Sequence, residues 1–120
     1  NFSEYVGVPV IINIWATWCG PCIHELPTFD KIYEEYADRI KFFMINCEDK
    51  NSMSNVKEFV KENDLCFPVY YDFDDSADEL YGNGYIPLTV AIKADGTVVY
   101  CNSGLLDESG LKELINSILE

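Results

Sequence analysis

The segment Val8–Cys22, VPVIINIWATWCGPC, carries the two patterns from which the fold is predicted. Its first eight residues are almost all apolar, and such a continuous run is typical of a strand that is covered on both faces of its sheet. Gly20-Pro21 ends the run, and a helical pattern follows in which one face carries Leu26, Phe29, Tyr33 and Tyr36. The stretch therefore predicts a buried strand, Val8–Trp15, that leads directly into an amphipathic helix.

A second apolar segment, Ile40–Cys47, predicts another buried strand after this helix. Strand, helix and strand within about forty residues form a βαβ unit, whose strands are parallel and joined by a right-handed crossover. Asp95-Gly96 predicts a later hairpin turn, because glycine adopts positive φ without steric cost. The remaining patterns predict helices at Ser52–Asn63 and Ser76–Tyr81, strands at Phe67–Tyr71, Leu88–Lys93 and Thr97–Asn102, and a last helix with Asp107 as its N-cap.

The predicted architecture is α/β, a central mixed sheet of about five strands that is flanked by helices. The chain has 120 residues, and 48% of them are apolar, which is enough for one domain with its own core. No repeat, linker or low-complexity segment divides the sequence. We therefore expect a single domain over residues 1–120.

The charge of the chain limits its partners. Twenty-one acidic residues against eight lysines and arginines give a formal net charge of −13. Such a surface repels phosphate backbones and anionic lipid headgroups, so we expect no nucleic acid partner and no membrane contact by this domain itself. The longest apolar run is also too short to cross a bilayer.

The motif that carries chemistry is Trp18-Cys19-Gly20-Pro21-Cys22, which lies where the first strand meets the helix. Two intervening residues put both sulfurs on one side of the helix start, where they can form a disulfide with little backbone movement. The unpaired N–H groups and the dipole of a helix N-terminus stabilise a thiolate. We therefore expect Cys19 to be the more exposed and more acidic nucleophile, and Cys22 to be the resolving thiol.

A zinc site is the alternative interpretation of a Cys-x-x-Cys pair. Such a site needs two further ligands, usually a second closely spaced pair. His24, the one histidine, is two residues past Cys22 and so points to another side of the helix. Cys47, Cys66 and Cys101 are isolated in the sequence, and we interpret them as small buried apolar residues. We expect no metal, and no disulfide between Cys47 and Cys66, which are predicted at opposite ends of the sheet.

The segment Asn13–Cys22, NIWATWCGPC, resembles the active-site segment of the thioredoxin superfamily. Gly84–Thr89, GYIPLT, is similar to the cis-proline segment of that superfamily, and the resemblance covers essentially the whole chain. Two further features resemble the TlpA/ResA-like branch. Glu25 and Pro27 follow the second cysteine, and a helix-and-strand segment, Ser52–Tyr71, is added before the cis-proline.

This resemblance implies a cis bond between Ile86 and Pro87, which would place Pro87 against the two sulfurs. The backbone of Ile86 would then offer an edge on which an extended substrate segment pairs. The resemblance also implies that Trp18, Gly20 and Pro21 belong to the substrate-binding rim. A loop proline that begins a strand is the alternative interpretation of Pro87.

Asn13 departs from plain thioredoxin, which has a buried acid at the matching position. We interpret Asn13 as a hydrogen-bonded amide within the strand, so Glu25 is the one carboxylate that the local sequence brings near the sulfurs. Glu25 lies three residues after Cys22 on nearly the same helix face, ahead of Pro27, which should bend the helix. Burial beside the thiols would raise the pKa of Glu25 and let it carry the Cys22 proton. The alternative is an exposed glutamate with surface contacts only.

The resemblance implies a thiol-disulfide oxidoreductase that needs no cofactor beyond its Cys19–Cys22 disulfide. Its partners would be disulfide-containing proteins and an upstream protein dithiol donor, and we expect a monomer. Gly20-Pro21 resembles the spacer of reducing members, which favours a reductase. Two alternatives remain open: a peroxiredoxin-like thiol peroxidase, although Ala16 stands where those proteins have a threonine, and a redox-inert binding or metallochaperone module of the same fold.

Location also follows from the resemblance. The TlpA/ResA-like branch is mostly extracytoplasmic and tethered in bacteria, and a start without methionine fits the removal of an anchor. We therefore expect the bacterial periplasm or the cell surface. The three isolated cysteines favour the cytoplasm as the alternative, because oxidising compartments penalise exposed thiols.

Overall fold

The computed structural model of the chain describes residues 7–48, 50–71 and 86–119. Strands and helices alternate along the first part of the chain, and a hairpin and a helix complete it. The elements are β1 (Val10–Trp15), α1 (Gly20–Tyr36), β2 (Lys41–Asn46), a 3-10 helix (Lys50–Ser52), α2 (Met53–Glu62), β3 (Val69–Tyr71), β4 (Leu88–Ile92), β5 (Val98–Ser103) and α3 (Glu108–Leu119). The helix predicted at Ser76–Tyr81 lies outside the described residues.

The described strands form one mixed sheet with the order β3-β2-β1-β4-β5. β1 and β2 are parallel, with Trp15 opposite Asn46, and β3 is parallel to β2. β4 is antiparallel to both β1 and β5. The predicted five-strand mixed sheet is therefore confirmed, and the carboxyl ends of β1, β2 and β3 meet the amino end of β4 at one edge. The Cys19–Cys22 pair follows β1 at this edge.

β1 is buried along its whole length, as its apolar run predicts. Because side chains of a strand alternate between the two faces of its sheet, Ile11 and Trp15 pack in one core cluster with buried residues of α1 and α3. Ile12 and Ile14 belong to a second cluster on the opposite face, together with residues of β2 and β4. The added helix α2 contributes Val56 to the first cluster, so it packs on the same face of the sheet as α1.

Two local predictions are confirmed by hydrogen bonds. In the hairpin between β4 and β5, Lys93 N–H donates to Thr97 O at 2.8 Å, and Gly96 has φ +92°. At the start of α3, Gly110 N–H donates to Asp107 Oδ1 at 2.8 Å, the contact expected of an N-cap. Both segments thus fold as their turn and cap residues predict.

The prediction that the isolated cysteines are buried is wrong for two of them. Cys66 and Cys101 are exposed, and Cys47 is half-buried. Cys101 lies on β5, an edge strand whose residues are mostly exposed, and Cys66 lies in the loop between α2 and β3. Residue type alone therefore did not indicate burial, either on the edge strand or in the loop. Neither Cys47 nor Cys66 takes part in a disulfide, as expected.

Candidate active site

The Cys19–Cys22 disulfide lies at the N-terminus of α1, with the two Cα atoms 5.2 Å apart. Cys19 is the N-cap residue, in an extended conformation with φ −96° and ψ 106°. Its Sγ accepts a hydrogen bond from the backbone N–H of Cys22 at 3.2 Å, a donor that the helix itself leaves without a partner. Cys19 is 6% exposed and Cys22 is fully buried, which is the predicted order of accessibility.

Residues of the predicted substrate-binding rim surround this disulfide. The peptide bond between Ile86 and Pro87 is cis, and Ile86 O lies 3.9 Å from Cys19 Sγ. Trp18 is 71% exposed, although it directly precedes the buried Cys19. Gly20 and Pro21 are exposed at the start of the helix. The structure therefore brings the aromatic ring, the helix start and the Ile86 carbonyl to the same edge of the sheet.

Glu25 is buried, with 1% of its surface exposed. Its Oε1 accepts a hydrogen bond from Asn13 Nδ2 at 2.9 Å, and its Oε2 accepts one from Leu106 N–H at 3.0 Å. Burial raises the pKa of Glu25 above its ordinary value, and the hydrogen bonds from Leu106 and Asn13 only partly offset this rise. The alternative of an exposed surface glutamate is therefore wrong, whereas the proton-carrying role of Glu25 stays a prediction.

Asn13 connects Glu25 to the neighbouring strand. Its side-chain amide donates to Glu25 and also, at 3.2 Å, to Thr89 Oγ1 on β4. The Asn13 Oδ1 atom is buried and has no hydrogen-bond partner in the described part of the chain. The interpretation of Asn13 as a hydrogen-bonded amide is confirmed, and one of the acceptors of this amide is Glu25.

A second acid lies near the motif, Glu48, which was not predicted from the sequence. Its carboxylate accepts hydrogen bonds from the backbone N–H and the hydroxyl of Thr17 at 2.7 and 2.8 Å, and from Asn46 Nδ2 at 2.9 Å. Thr17 is two residues before Cys19, whereas Glu48 follows β2. Parallel pairing of β1 and β2 was the available signal, because it brings the residues beyond both strand ends to the same edge.

Among the described residues, the one group of side chains spaced like metal ligands does not include Cys19 or Cys22. Within 7–48, 50–71 and 86–119, the ligand atoms of Asp30, Glu34 and Cys66 lie within 4.8 Å of one another. Asp30 already accepts hydrogen bonds from the backbone N–H groups of Cys66 and Phe67. A hydrogen bond to Glu34 and the negative charge of Asp30 raise the pKa of the Cys66 thiol above its ordinary value. His24 is exposed on α1.

Comparison with known proteins agrees with this geometry. The thiol-disulfide oxidoreductase ResA of Oceanobacillus iheyensis is 32% identical over 119 residues, which are 98% of this chain and 61% of that protein. ResA of Geobacillus thermodenitrificans is 30% identical over 119 residues, which are 98% of this chain and 67% of that protein. The chain therefore spans only part of the length of these curated relatives.

Solved structures with the same fold include two thiol-disulfide proteins. A putative thiol:disulfide interchange protein DsbE from Chlorobium tepidum has a TM-score of 0.86 and 25% identity, over 99% of this chain and 85% of that chain. An exposed lipoprotein thioredoxin from Streptococcus pneumoniae has a TM-score of 0.81 and 26% identity, over 96% of this chain and 89% of that chain. These matches confirm the thioredoxin-like fold.

The fold and the disulfide-bonded Cys19–Cys22 pair are those of thioredoxin-like thiol-disulfide oxidoreductases, the class that the sequence predicts. Residues 1–115 match the Redoxin family, and the chain belongs to that family. The curated relatives named ResA agree with the predicted TlpA/ResA-like branch.

Proposed function

We propose that this chain reduces disulfide bonds of partner proteins, with Cys19 as the attacking thiolate. The observation that carries the proposal is the position of Cys19 as N-cap of α1, where Cys22 N–H points at its Sγ at 3.2 Å. In the reduced protein this N–H group and the helix dipole favour the thiolate form of Cys19. Cys19 is also the less buried of the two sulfurs, so a partner reaches it first.

The exchange has two steps. The Cys19 thiolate attacks one sulfur of the partner's disulfide, forms a mixed disulfide and releases the partner's other sulfur as a thiolate that takes up a proton. Cys22 then loses its proton and attacks Cys19 Sγ, which releases the second partner sulfur and forms the Cys19–Cys22 disulfide. The partner gains two electrons, and an upstream protein dithiol restores the reduced pair. We propose that no metal or organic cofactor takes part.

Glu25 is proposed to take the proton of Cys22 in the second step. Both residues are buried on α1, three positions apart, so they lie on nearly the same face of the helix. Burial raises the pKa of Glu25, which makes its carboxylate a stronger base for the proton of a neighbouring thiol. The proton can then pass to the departing partner thiolate.

The partner segment is proposed to lie in an extended conformation between Trp18 and the Ile86–Pro87 bond. Trp18 offers an exposed apolar ring, and Ile86 O lies close to Cys19 Sγ, where a partner's backbone N–H could donate to it. Gly20 and Pro21 complete this rim at the helix start. The formal charge of −13 favours partners with a neutral or basic surface around their disulfide.

We also propose an extracytoplasmic location. The similar protein of Streptococcus pneumoniae is described as an exposed lipoprotein, and this supports the periplasm or the cell surface. Among the described residues, no helix is long and apolar enough to span a membrane.

The test of the proposed function is a trapping experiment with Cys22→Ser. This variant can form the mixed disulfide but cannot resolve it, so a covalent complex with a partner should accumulate and should dissociate in dithiothreitol. Cys19→Ser is the matched control and should trap nothing. If Cys19→Ser traps the same partners, or if neither variant traps any, the assignment of Cys19 as nucleophile is wrong.

A peroxide assay addresses the open alternative of a peroxidase. The reduced parent protein is mixed with hydrogen peroxide without any partner, and peroxide consumption is compared with the rate of insulin disulfide reduction. We expect insulin reduction and only slow peroxide consumption, because Cys19 lies at the helix start next to Cys22 and the Ile86 carbonyl, where the proposed exchange with a peptide segment would take place. Faster turnover with peroxide than with insulin would favour the peroxidase.

A further inference from the structure

We propose that Glu48 is a positioning residue for the exchange reaction, which fixes the turn Ala16–Cys19 so that Trp18 meets the partner protein. The proposal rests on the function proposed above. Glu48 lies 31 positions from Thr17 in the sequence and belongs to the segment after β2. Glu48 is nevertheless hydrogen-bonded to Thr17, the residue that precedes Trp18.

The carboxylate of Glu48 receives three hydrogen bonds on its two oxygens. Oε2 accepts from the backbone N–H of Thr17 at 2.7 Å and from Asn46 Nδ2 at 2.9 Å, and Oε1 accepts from the Thr17 hydroxyl at 2.8 Å. The backbone N–H of Glu48 donates in turn to Asn46 Oδ1 at 2.9 Å. Glu48 is 9% exposed, so little water competes for these contacts and the carboxylate is held in one orientation.

The contacts between Glu48 and Thr17 lie directly beyond the last paired residues of β1 and β2. The ladder between β1 and β2 ends with Trp15 opposite Asn46 and with Cys47 N–H donating to Trp15 O at 3.0 Å. Beyond Trp15, the turn is closed by one backbone hydrogen bond, from Cys19 N–H to Ala16 O at 3.2 Å. Glu48 ties this turn to the end of β2 by both the backbone and the side chain of Thr17.

Trp18 depends on this turn for its position. Trp18 is 71% exposed, so packing against the protein constrains its side chain little, and the backbone of the turn determines where the ring lies. Cys19 is held independently, because it caps α1 and its sulfur accepts from Cys22 N–H. Loosening the turn should therefore impair the docking of a large partner more than the reactivity of the sulfur itself.

We expect the hydrogen bonds of Glu48, rather than its charge, to hold the turn Ala16–Cys19 in position. A glutamine can keep all three contacts, because its carbonyl oxygen accepts from Thr17 N–H and Asn46, while its amide donates to the Thr17 hydroxyl, which can also accept. An alanine loses all three. The conservative variant Glu48→Gln should consequently behave like the parent, whereas Glu48→Ala should not.

The experiment compares a large and a small disulfide. KM and kcat for reduction of insulin, with dithiothreitol as electron donor, are measured beside the single-turnover rate of the reduced protein with glutathione disulfide. For Glu48→Ala we expect the KM for insulin to rise at least about fivefold with kcat little changed, which is the signature of lost binding. The rate with glutathione disulfide should stay within about twofold of the parent, since a small disulfide does not need the docking surface.

Three further variants complete the test. Glu48→Gln should restore the parent KM, and Thr17→Val, which removes only the hydroxyl contact, should give an intermediate KM even if Glu48→Ala does not fold. Glu58→Ala, at an exposed position on α2, is the matched control for the loss of one acidic residue and should leave all rates unchanged.

The outcomes separate this proposal from the proposed function. If the parent does not reduce insulin, the reductase function itself fails. If the parent is active but Glu48→Ala and Thr17→Val keep its KM, the positioning role is wrong. It is equally wrong if the rates with insulin and glutathione disulfide fall in parallel, or if Glu48→Gln does not restore the KM for insulin.

Discussion

Glu25 illustrates at the residue scale how this site holds an acid in its interior. Glu25 is 1% exposed, and each of its carboxyl oxygens has one donor, Asn13 Nδ2 or Leu106 N–H. Two neutral donors stabilise a carboxylate less than water does, so burial raises the pKa of Glu25. A carboxylate with a raised pKa is a stronger base than a solvated glutamate, which suits the acceptance of a proton from a thiol.

The raised pKa of Glu25 predicts a pH dependence of stability. The folded protein keeps the Glu25 proton at pH values where the unfolded chain, with a pKa near 4.5, has lost it. Glu25 therefore destabilises the fold progressively as the pH rises above 4.5 and through its folded-state pKa. The free energy of unfolding of the parent minus that of Glu25→Gln should fall over this range and then level off.

Urea unfolding of the oxidised proteins measures this difference, because Cys19 and Cys22 do not titrate in the disulfide. Glu58→Gln on the exposed side of α2 is the matched control for the loss of one carboxyl group. A difference for Glu25→Gln that stays flat or increases with pH would show that the folded state does not raise the pKa of Glu25.

The sequence predicts some residues of the site better than others. Cys19, Cys22 and Glu25 are found from spacing within one helix, where the relation between position and face is fixed. Glu48 could not be found in this way, since its contact with Thr17 depends on the exact register of two strands. Cys66 was misassigned because its residue type indicates burial, whereas the loop that carries it is exposed.

At the scale of elements, the start of α3 is linked to the active site. Leu106, which donates to Glu25, directly precedes the N-cap Asp107. Gly104 N–H, in the same loop, donates to Pro87 O at 2.9 Å. The loop between β5 and α3 therefore contacts both the buried Glu25 and the cis-proline Pro87.

Asp107→Ala should destabilise the fold by about 1 kcal/mol, the usual cost of losing an N-cap side chain. The variant leaves Gly110 N–H without its acceptor, and its effect is measured as a shift of the urea midpoint. Asp107→Asn is the matched control, since asparagine caps helices about as well as aspartate. Equal losses in the two variants would mean that the charge of Asp107, and not the cap, stabilises α3.

The elements themselves follow closely from local patterns. β1, β2 and α1 are predicted because a continuous apolar run and a helical stripe have different periods, and their observed ends differ from the predicted ones by a few residues. The position of α2 is less accessible to sequence reasoning. Its Phe59 ring lies 6.0 Å from that of Trp15, a contact between distant elements that no periodicity in either element predicts.

At the scale of the whole molecule, acidic residues dominate the surface. The twenty-one acids face eight lysines and arginines, and the ion pairs seen within the described ranges are on exposed side chains, such as Lys31 with Glu108 at 3.0 Å. Exposed pairs of this kind contribute little to stability. Most acids are therefore left to repel one another in the folded state, where they are closer together than in the unfolded chain.

This repulsion predicts that salt stabilises the fold at neutral pH. The Debye length is about 30 Å at 0.01 M salt and about 8 Å at 0.15 M, and the molecule measures 39 × 27 × 24 Å. At low salt most acids consequently repel one another across the whole domain, and at higher salt only close neighbours do. We expect the urea midpoint at pH 7 to rise between these two salt concentrations with an unchanged slope. Urea is the required denaturant, because guanidinium would itself screen the charges.

The same titration near pH 4 is the control, since there many of the carboxyl groups are protonated and the net charge is small. The rise of the midpoint with salt should then be much smaller. A midpoint at pH 7 that stays constant or falls with salt would show that the exposed ion pairs outweigh the repulsion. In that case the excess negative charge would affect only the choice of partner. It would still attract basic partners over long range, and salt would screen that attraction whether or not it changes the stability of the fold.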